Sequence, residues 1–434
     1  MTVSDLPIHS PLRNRVVQAD SAFHNWYRFV LSFPPHLVRD YIAKFDLGAD
    51  STLLDPFCGT GTTLVEAKKL GVGSVGIEGT PIGAFASQVK TDWSVSSADL
   101  RRDADQVAQA TERAWATEQW RQDPTHIIRE TRSLFGNRSL SPEEESLLLK
   151  GSISPLPLHR WLTILNYVDA TSSRDALRLA LAWSLVNGVG NIRFGPEVGI
   201  TKPKDDADVL GLWHAQALRM ADDLEAASDA FQPSTTVFRG DARELPRGIA
   251  PESIDAVITS PPYPNEKDYT RTTRLESVLL GLIRSKVELR AIKEGLVRSN
   301  TRGVFVSDSD DAKIEEMPEV ARIAESIEAR RKEMGKTSGF ERLYHRVTRL
   351  YFGGMRRHLA SMKPILKPGA RLAYVVGDQA SYLQVMIRTG HLLADIARLE
   401  GYEVEGIDLF RTRIATATKE QLREEVILLR WKGR

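Results

Sequence analysis

Residues 51–78 read STLLDPFCGTGTTLVEAKKLGVGSVGIE, and this stretch decides the fold. A short apolar run, STLLD, leads into the glycine-containing segment PFCGTGTT. The following residues, LVEAKKLG, carry apolar side chains at helical spacing and stop at a glycine, and a second apolar run, SVGIE, comes next. The order strand, glycine loop, helix, strand predicts the start of a doubly wound α/β sheet, in which ligands bind at the carboxyl ends of the strands.

The strand pattern stops after Asp92 and returns near residue 235. The intervening residues 93–232 are rich in Ala, Leu, Arg, Glu and Gln, which favours helices. We therefore predict a mainly helical insertion over 93–232, within a sheet domain formed by residues 1–92 and 233–434. A charged helical segment is predicted at 273–366 inside that domain. The later strands are predicted at TTVFRGD (235–241), SIDAVITS (253–260), RLAYVVGD (371–378), VEGIDLF (404–410) and EVILLRW (425–431).

Composition and charge exclude several classes of protein. The chain has 434 residues, 42% hydrophobic and 26% charged, which is typical of a globular protein rather than a disordered or coiled-coil one. With 58 Lys and Arg against 57 Asp and Glu, binding to nucleic acid would need locally sorted basic residues. The single cysteine, Cys58, excludes intrachain disulfides and cysteine-based zinc sites. Since there is neither a signal-peptide core nor a run of about 18 apolar residues, we expect a cytoplasmic protein that does not enter membranes.

The glycine loop predicts a ligand that contains a ribose. Gly59 and Gly61 let the backbone approach a ligand at a helix N-terminus, and Glu78 ends the second strand, where its carboxylate can accept both ribose hydroxyls. A dinucleotide would require G-x-G-x-x-G, but the third glycine position holds Leu64. S-adenosylmethionine, which has a ribose but no pyrophosphate, is the alternative ligand. A Gly-x-Gly pair alone is also typical of a plain strand-to-helix turn.

The longer string DPFCGTGTT, residues 55–63, resembles the cofactor loop of the amino-methyltransferases that act on DNA bases. The resemblance implies an α/β fold with a Rossmann-like class I methyltransferase sheet and S-adenosylmethionine as cofactor. It also implies cofactor contacts from the loop and the second strand, namely Asp55, Pro56, Phe57, Gly59, Gly61, Thr62 and Glu78. Members of this family have a further carboxylate near the adenine after the third strand, where GDARELP places Asp241. A strand-end cap is the other interpretation of Asp241.

TSPPY, residues 259–263, follows the fourth predicted strand. Two successive prolines cannot donate ladder hydrogen bonds, so the strand must end there. An exocyclic base amine is a poor nucleophile because its lone pair is spread into the ring. Acceptors such as Ser260 Oγ and the Pro261 carbonyl can take both of its hydrogens and favour a pyramidal nitrogen, with no metal needed. Tyr263 can stack on a base turned out of the duplex.

SPPY resembles the catalytic tetrapeptide of DNA N4-cytosine methyltransferases, which implies that Ser260, Pro261, Pro262 and Tyr263 are catalytic. Adenine-N6 enzymes more often have Asp or Asn in the first position. A rigid turn is the alternative interpretation of this motif. The cofactor loop precedes SPPY, whereas many N4-cytosine enzymes have the reverse order, so the chain resembles circularly permuted members. In those proteins a proline-bearing segment closes over the methionine, and residues 23–38 resemble it, with His24 and Pro34 as matches.

Basic and aromatic residues beside SPPY predict contact with nucleic acid. Lys267, Tyr269, Arg271 and Arg274 suit phosphate contact and base stacking, although a solvated loop and helix start would show the same pattern. Within the insertion, Arg193 belongs to a stretch rich in glycine and proline that is typical of a functional loop.

The sequence therefore predicts a site-specific methyltransferase that acts on double-stranded DNA and moves a methyl group from S-adenosylmethionine to cytosine N4. The catalytic domain would be 1–92 and 233–434, and either the insertion or the charged segment 273–366 would read the target sequence. Adenine N6 is the alternative acceptor, followed by an RNA base methyltransferase or an inactive relative that binds nucleic acid. Methylation at carbon 5 is disfavoured because it needs a catalytic thiolate, and Cys58 lies inside the cofactor loop. The family implies a restriction-modification role with a cognate restriction endonuclease as partner.

Overall fold

The computed structural model describes residues 16–28, 33–117, 140–195, 198–227, 232–265, 267–415 and 419–433. The strands in these ranges are β1 (Thr52–Asp55), β2 (Gly73–Glu78), β3 (Ile192–Arg193), β4 (Gly199–Ile200), β5 (Thr235–Arg239), β6 (Ile254–Thr259), β7 (Leu366–Gly377), β8 (Glu403–Ile414) and β9 (Gln421–Arg430). The α-helices are α1 (Pro35–Lys44), α2 (Thr62–Lys69), α3 (Pro81–Thr91), α4 (Ser97–Thr117), α5 (Pro142–Leu147), α6 (Pro155–Val168), α7 (Arg174–Ser184), α8 (Val209–Ala227), α9 (Tyr269–Thr272), α10 (Arg274–Leu279), α11 (Lys286–Glu294), α12 (Pro318–Glu333), α13 (Tyr344–Met362) and α14 (Thr389–Leu399). Shorter helical turns occur at Gln18–Asp20, His24–Trp26, Leu185–Val189, Thr301–Gly303, Asp310–Ile314, Glu341–Leu343 and Lys363–Ile365. Within the described ranges, no helix combines the length and the apolar character needed to span a membrane.

Seven strands form one sheet in the order β5-β2-β1-β6-β7-β9-β8. Strand β9 runs antiparallel to both of its neighbours, β7 and β8, and the remaining pairings are parallel. Each strand that the sequence predicts lies in this sheet. The predicted Rossmann-like α/β fold is therefore confirmed.

Both faces of the sheet are covered by helices. Leu54 of β1 and Val257 of β6 are fully buried in a cluster with apolar side chains of α13 and α14. Leu53 and Ala256 belong to a different cluster, to which α1 and α2 contribute. Because successive strand residues point to opposite faces, a parallel strand that is buried on both sides forms a near-continuous apolar run.

Helices α4 to α8 lie between β2 and β5 in the chain, where the sequence predicts a helical insertion. The apolar side chains of α4, α6, α7 and α8 form one buried cluster that also contains Ile82 of α3 and Trp26, whereas Leu147 of α5 belongs to a smaller cluster with Val278. Strands β3 and β4 form a separate two-stranded ribbon in the same region. Residues 118–139 of the predicted insertion lie outside the described ranges. The division into a catalytic domain and an insertion remains a prediction.

The strand order reverses at β1, and this reversal positions the site. Strand β1 pairs with β2 on one side and with β6 on the other, with Leu53 opposite Ser74 and Ala256 respectively. The chain therefore leaves β1 and β6 at neighbouring points on the same edge of the sheet. A crevice at such a switch point is where doubly wound proteins bind their ligands.

Candidate active site

The glycine loop after β1 and the TSPPY segment after β6 are hydrogen-bonded to each other. The Thr259 hydroxyl donates to Asp55 Oδ1 at 2.6 Å, and the Thr63 hydroxyl donates to the Ile258 carbonyl at 3.3 Å. Gly59 and Ser260 line the same cavity. The two sequence motifs thus form one site, although about 200 residues separate them.

Two glycines and Glu78 set the conformation of the loop. Gly59 and Gly61 have φ angles of +54° and +85°, in the left-handed region that side chains disfavour. An added Cβ at Gly61 would lie only 3.1 Å from the Ser87 hydroxyl oxygen. Glu78 Oε2 accepts the Gly59 N–H at 2.9 Å, and Oε1 accepts the Thr80 N–H at 2.7 Å. Burial raises the pKa of the Glu78 carboxyl, which lines the cavity at the end of β2.

Asp55 is a fully buried carboxylate, and one of its oxygens has no hydrogen-bond partner among the described residues. Its Oδ1 accepts the Thr259 hydroxyl and the Phe57 N–H, whereas its Oδ2 has no hydrogen-bond partner in the described part of the chain. Burial raises the pKa of Asp55 to about 6, against the opposing effect of the Thr259 hydrogen bond. A buried oxygen without a partner is costly, and a cationic ligand group would stabilise its charged form.

Other residues predicted to hold the cofactor are distributed around this loop. Pro56, Phe57 and Thr62 line the cavity together with Gly59. Cys58 is buried beside them, and burial raises the pKa of its thiol well above the usual value. The thiol is therefore held in its protonated, unreactive form.

Ser260 is positioned to accept hydrogen bonds at the cavity. Its hydroxyl donates to the Val375 carbonyl of β7 at 3.2 Å, so its proton is committed and its lone pairs remain. Ser260 and Pro262 line the cavity, while Pro261 is buried. Tyr263 is partly buried against β7, because an added Cβ at Gly377 would lie 2.8 Å from its ring.

Asp241 lines the cavity, but its carboxylate is bound by an arginine that the sequence analysis did not single out. Arg243 donates to both Asp241 oxygens at 2.7 to 3.1 Å. Arg243 is 6% exposed and also donates to Asp310 Oδ2 at 2.6 Å and to the Glu294 carbonyl at 2.8 Å. The predicted contact between Asp241 and an adenine therefore involves an ion-paired carboxylate, and it remains a prediction.

The segment before the glycine loop reaches the cavity through residues other than the predicted ones. Tyr27 and Phe33 line it, whereas His24 and Pro34 are absent from the lining. His24 is buried with Nε2 at 2.7 Å from Glu66 Oε1, and burial lowers the pKa of His24 to about 4. Pro34 is the N-cap of α1. Residues 29–32 of this predicted segment lie outside the described ranges.

A further part of the cavity wall comes from the charged helical segment, which carried no recognised motif. Lys293 and residues 295–300 line it, together with Gly303. Lys293 pairs with Asp268 at 2.8 Å, beside the TSPPY turn. Burial alone would raise the pKa of Asp268, but Lys293 and two hydrogen-bond donors hold it below the usual value. The charged composition of 273–366 was the only sequence signal for these cavity-lining residues.

The residues predicted to contact nucleic acid differ in whether they line the cavity, are exposed, or are hydrogen-bonded to the rest of the protein. Tyr269 lines the cavity, and Lys267 and Arg271 are partly exposed next to it in the chain. Arg274 donates to the Thr270 carbonyl at 2.8 Å and to the Leu147 carbonyl at 3.4 Å, so its guanidinium is committed to the protein. Arg193 is exposed on β3 and does not line the cavity.

His358 of α13 packs against Phe57 of the glycine loop and was not identified from the sequence. Its ring lies edge-on to Phe57 at 4.9 Å between centroids. Because the Ala242 carbonyl at 2.7 Å can only accept, Nδ1 carries the proton, and Nε2 accepts the Tyr374 hydroxyl at 2.7 Å. Burial lowers the pKa of His358 to about 4, so the ring stays neutral.

We expect His358→Leu to lower the free energy of unfolding by about 3 kcal/mol, because each buried polar group left unpaired costs about 1–3 kcal/mol. The groups left unpaired are the Ala242 carbonyl and the Tyr374 hydroxyl. Urea denaturation measures the change. The matched control is His345→Leu on the same helix, where the side chain is 37% exposed and the change should be within about 0.5 kcal/mol. Equal losses in the two variants would contradict the supporting role of His358.

The fold and the cavity define a doubly wound α/β protein with a ligand site between a glycine loop and a Ser-Pro-Pro-Tyr turn. The model of the DNA methylase family matches residues 14–81, which contain the glycine loop. The Type II methyltransferase M.BsoBI of Geobacillus stearothermophilus is 28% identical over 295 residues. The Type II methyltransferase M.AvaI of Nostoc sp. is 24% identical over 425 residues. These matches confirm the resemblance that the motifs carry: the chain is similar to DNA amino-methyltransferases.

The matches differ in how much of each protein they cover. The alignment with M.BsoBI covers 62% of this chain and 55% of that protein, so the chain spans about half of this relative. The alignment with M.AvaI covers 92% of this chain and 84% of that protein. Among solved structures, TrmN from Thermus thermophilus matches over 95% of this chain and 52% of its own, with 12% identity and a TM-score of 0.29. That score is too low to bear on the fold, which follows from the strand order.

Proposed function

We propose that this protein transfers a methyl group from S-adenosylmethionine to an exocyclic amino group of double-stranded DNA, with cytosine N4 as the acceptor. The observation that carries the proposal is the cavity shared by the glycine loop and the TSPPY turn, which the Thr259–Asp55 hydrogen bond joins. The relatives named as Type II methyltransferases support the DNA substrate. They also support a restriction-modification role, for which the family resemblance implies a cognate endonuclease as partner.

The residues of the cavity fit S-adenosylmethionine. This molecule carries two cations, a sulfonium and an ammonium, and Asp55 offers a buried carboxylate oxygen with no partner among the described residues. Glu78 stands at the end of β2, where its carboxylate can accept ribose hydroxyls, and the left-handed Gly59 and Gly61 keep side chains out of the cradle. When bound, the cofactor supplies an electrophilic methyl group.

In this proposal, Ser260 accepts a hydrogen bond from the amino group that receives the methyl group. Since its hydroxyl proton goes to the Val375 carbonyl, its lone pairs are directed to an incoming N–H donor. A second acceptor, the Pro261 carbonyl, would hold the other N–H and localise the nitrogen lone pair. Alignment of the groups and exclusion of water then lower the barrier.

One feature supports cytosine N4 as the acceptor, and another argues against carbon 5. The tetrapeptide begins with Ser260, as in the N4-cytosine enzymes it resembles, and adenine N6 is the alternative. Methylation at carbon 5 would need a thiolate, and the pKa of the buried Cys58 thiol is raised.

The test is incubation with tritiated S-adenosylmethionine and either genomic DNA or total RNA, followed by nucleoside analysis. Label in N4-methylcytosine from DNA supports the proposal. Label in N6-methyladenine from DNA would show that the acceptor is adenine N6, the alternative, and not cytosine N4. Label confined to RNA, or no transfer at all, overturns it.

Tyr263→Ala should lower kcat/KM on duplex DNA by about tenfold, because stacking of a base on an aromatic ring is worth about 1–3 kcal/mol. Pro261→Ala should lower it less, since the backbone carbonyl at that position is retained. The kcat/KM of both variants is measured by steady-state kinetics on a duplex that carries the target site mapped in genomic DNA. Comparable losses in the two variants would remove the stacking role from Tyr263.

A further inference from the structure

A valine that follows the cavity-lining residues in the chain is almost fully exposed to solvent. Val306 is 97% exposed, the highest value of any large hydrophobic side chain in the described part of the chain. It belongs to the rim loop, defined here as residues 295–308, whose first half lines the cavity. Gly303, three positions before Val306, is the last cavity-lining residue of this loop. Val306 therefore stands close to the cavity in the chain while contributing little to the core.

The rim loop holds Val306 in a closed turn. The Asp308 N–H donates to the Phe305 carbonyl at 3.3 Å, and the Phe305 N–H donates to Asp308 Oδ2 at 2.7 Å. Arg298 clamps Asp308 through Nε at 3.0 and 2.9 Å, and the two side chains are 4% and 8% exposed. Arg298 also donates to the Lys293 carbonyl at 2.7 Å. A buried ion pair with these additional hydrogen bonds fixes the turn that presents Val306.

Two carboxylates of the acidic run around this turn are neutralised by buried arginines. Asp308 is bound by Arg298, and Asp310 is bound by the buried Arg243 at 2.6 Å. Arg302, on the other side of Val306, is exposed, with its guanidinium 5.0 Å from the centre of the Phe340 ring. A neutralised turn next to an exposed guanidinium is compatible with a phosphate backbone.

We propose that Val306 is an apolar wedge that enters the base stack of duplex DNA as the target nucleotide turns into the cavity. The inference rests on the proposed function, and it assigns the rim loop a role at the same site. Turning out a base costs a few kcal/mol of stacking and pairing, and apolar side chains inserted between base steps compensate for lost stacking. A valine fixed in a rigid turn can do this without first losing conformational entropy.

The test compares Val306→Ser with wild type on two synthetic duplexes that carry the methylated site mapped in genomic DNA. In one the target base is correctly paired, and in the other it faces a mismatched base. We expect Val306→Ser to lower kcat/KM about tenfold on the paired duplex and to be near wild type on the mismatched one, because a mismatched base is already easier to turn out. The Kd for S-adenosylmethionine should be unchanged, which shows that the cavity is intact. A duplex with 2-aminopurine at the target position should show a smaller fluorescence increase with Val306→Ser than with wild type.

The matched control is Val287→Ser on α11, where the valine is 77% exposed and does not line the cavity. It should match wild type on both duplexes. The wedge is overturned if Val306→Ser keeps wild-type activity on the paired duplex, or if it loses the same factor on both duplexes. If wild-type protein transfers no methyl group to any DNA, the proposed function itself fails, and the wedge fails with it.

Discussion

Ser260→Ala is expected to lower kcat by on the order of a hundredfold, the scale observed when one preorganised hydrogen-bonding group is removed from a transition state. The Ser260 hydroxyl donates to the Val375 carbonyl at 3.2 Å, so its proton is committed while its lone pairs remain available at the cavity that Ser260 lines. In the proposed reaction, removing this oxygen takes away an acceptor for the amine hydrogens. Single-turnover methylation of the mapped DNA site measures the chemical step directly.

Two further measurements separate this chemical role of Ser260 from a structural one. The Kd for S-adenosylmethionine should change little in Ser260→Ala, because the glycine loop and Glu78 are untouched. The control Ser253→Ala removes an exposed hydroxyl before β6 and should retain full activity. If Ser260→Ala retained more than about half of the wild-type rate, an acceptor role worth several kcal/mol would be excluded.

Asp55→Asn is expected to weaken the binding of S-adenosylmethionine by about tenfold to a hundredfold, the range for a hydrogen bond to a charged group. The buried carboxylate has an unpartnered oxygen within the described structure and favours a cationic ligand. Isothermal titration calorimetry measures the Kd. The control Asp46→Asn changes an exposed aspartate at the end of α1 and should leave the Kd unchanged.

The affinity of wild type should also depend on pH. Burial raises the pKa of Asp55 to about 6, so lowering the pH through 6 protonates the carboxylate and removes the charge that favours the ligand. At pH 5 about a tenth of the protein would be ionised at Asp55, so the Kd should be about tenfold weaker than on the plateau above pH 7. Asp55→Asn should lose this pH dependence of the Kd. Any pH dependence that remains in the variant would be assigned to Glu78, whose pKa is also raised. The same slope in the variant and the wild type would show that Asp55 does not set the affinity.

Local patterns predicted the sheet and its two motifs. The apolar run before PFCGTGTT, the helical spacing after it and the prolines of TSPPY are short-range signals, and each corresponds to an element of the fold. The left-handed angles of Gly59 and Gly61 likewise occur where the sequence places glycine. Such signals can be recognised without coordinates because helix spacing, strand burial and the missing N–H of proline act within a few residues.

Partners that are distant in sequence explain what the motifs could not predict. Asp241 and its neighbour Arg243 were visible in GDARELP, but Asp310 completes the arginine's ion pairs from 67 residues away. His24 matched a family segment, yet it is buried against Glu66 instead of lining the cavity. His358 gave no signal because its function depends on three groups that meet only in the folded chain.

The sequence by itself determined the fold class, the family resemblance and the two loops that must meet, because these depend on residue types at fixed local spacings. The tertiary structure alone decided which carboxylate retains an oxygen without a partner among the described residues, which arginines are committed to protein acceptors, and that the valine three residues after a cavity-lining glycine is exposed. The physical reason is that burial and pairing set the charge and availability of a side chain, and both depend on neighbours contributed by distant parts of the chain.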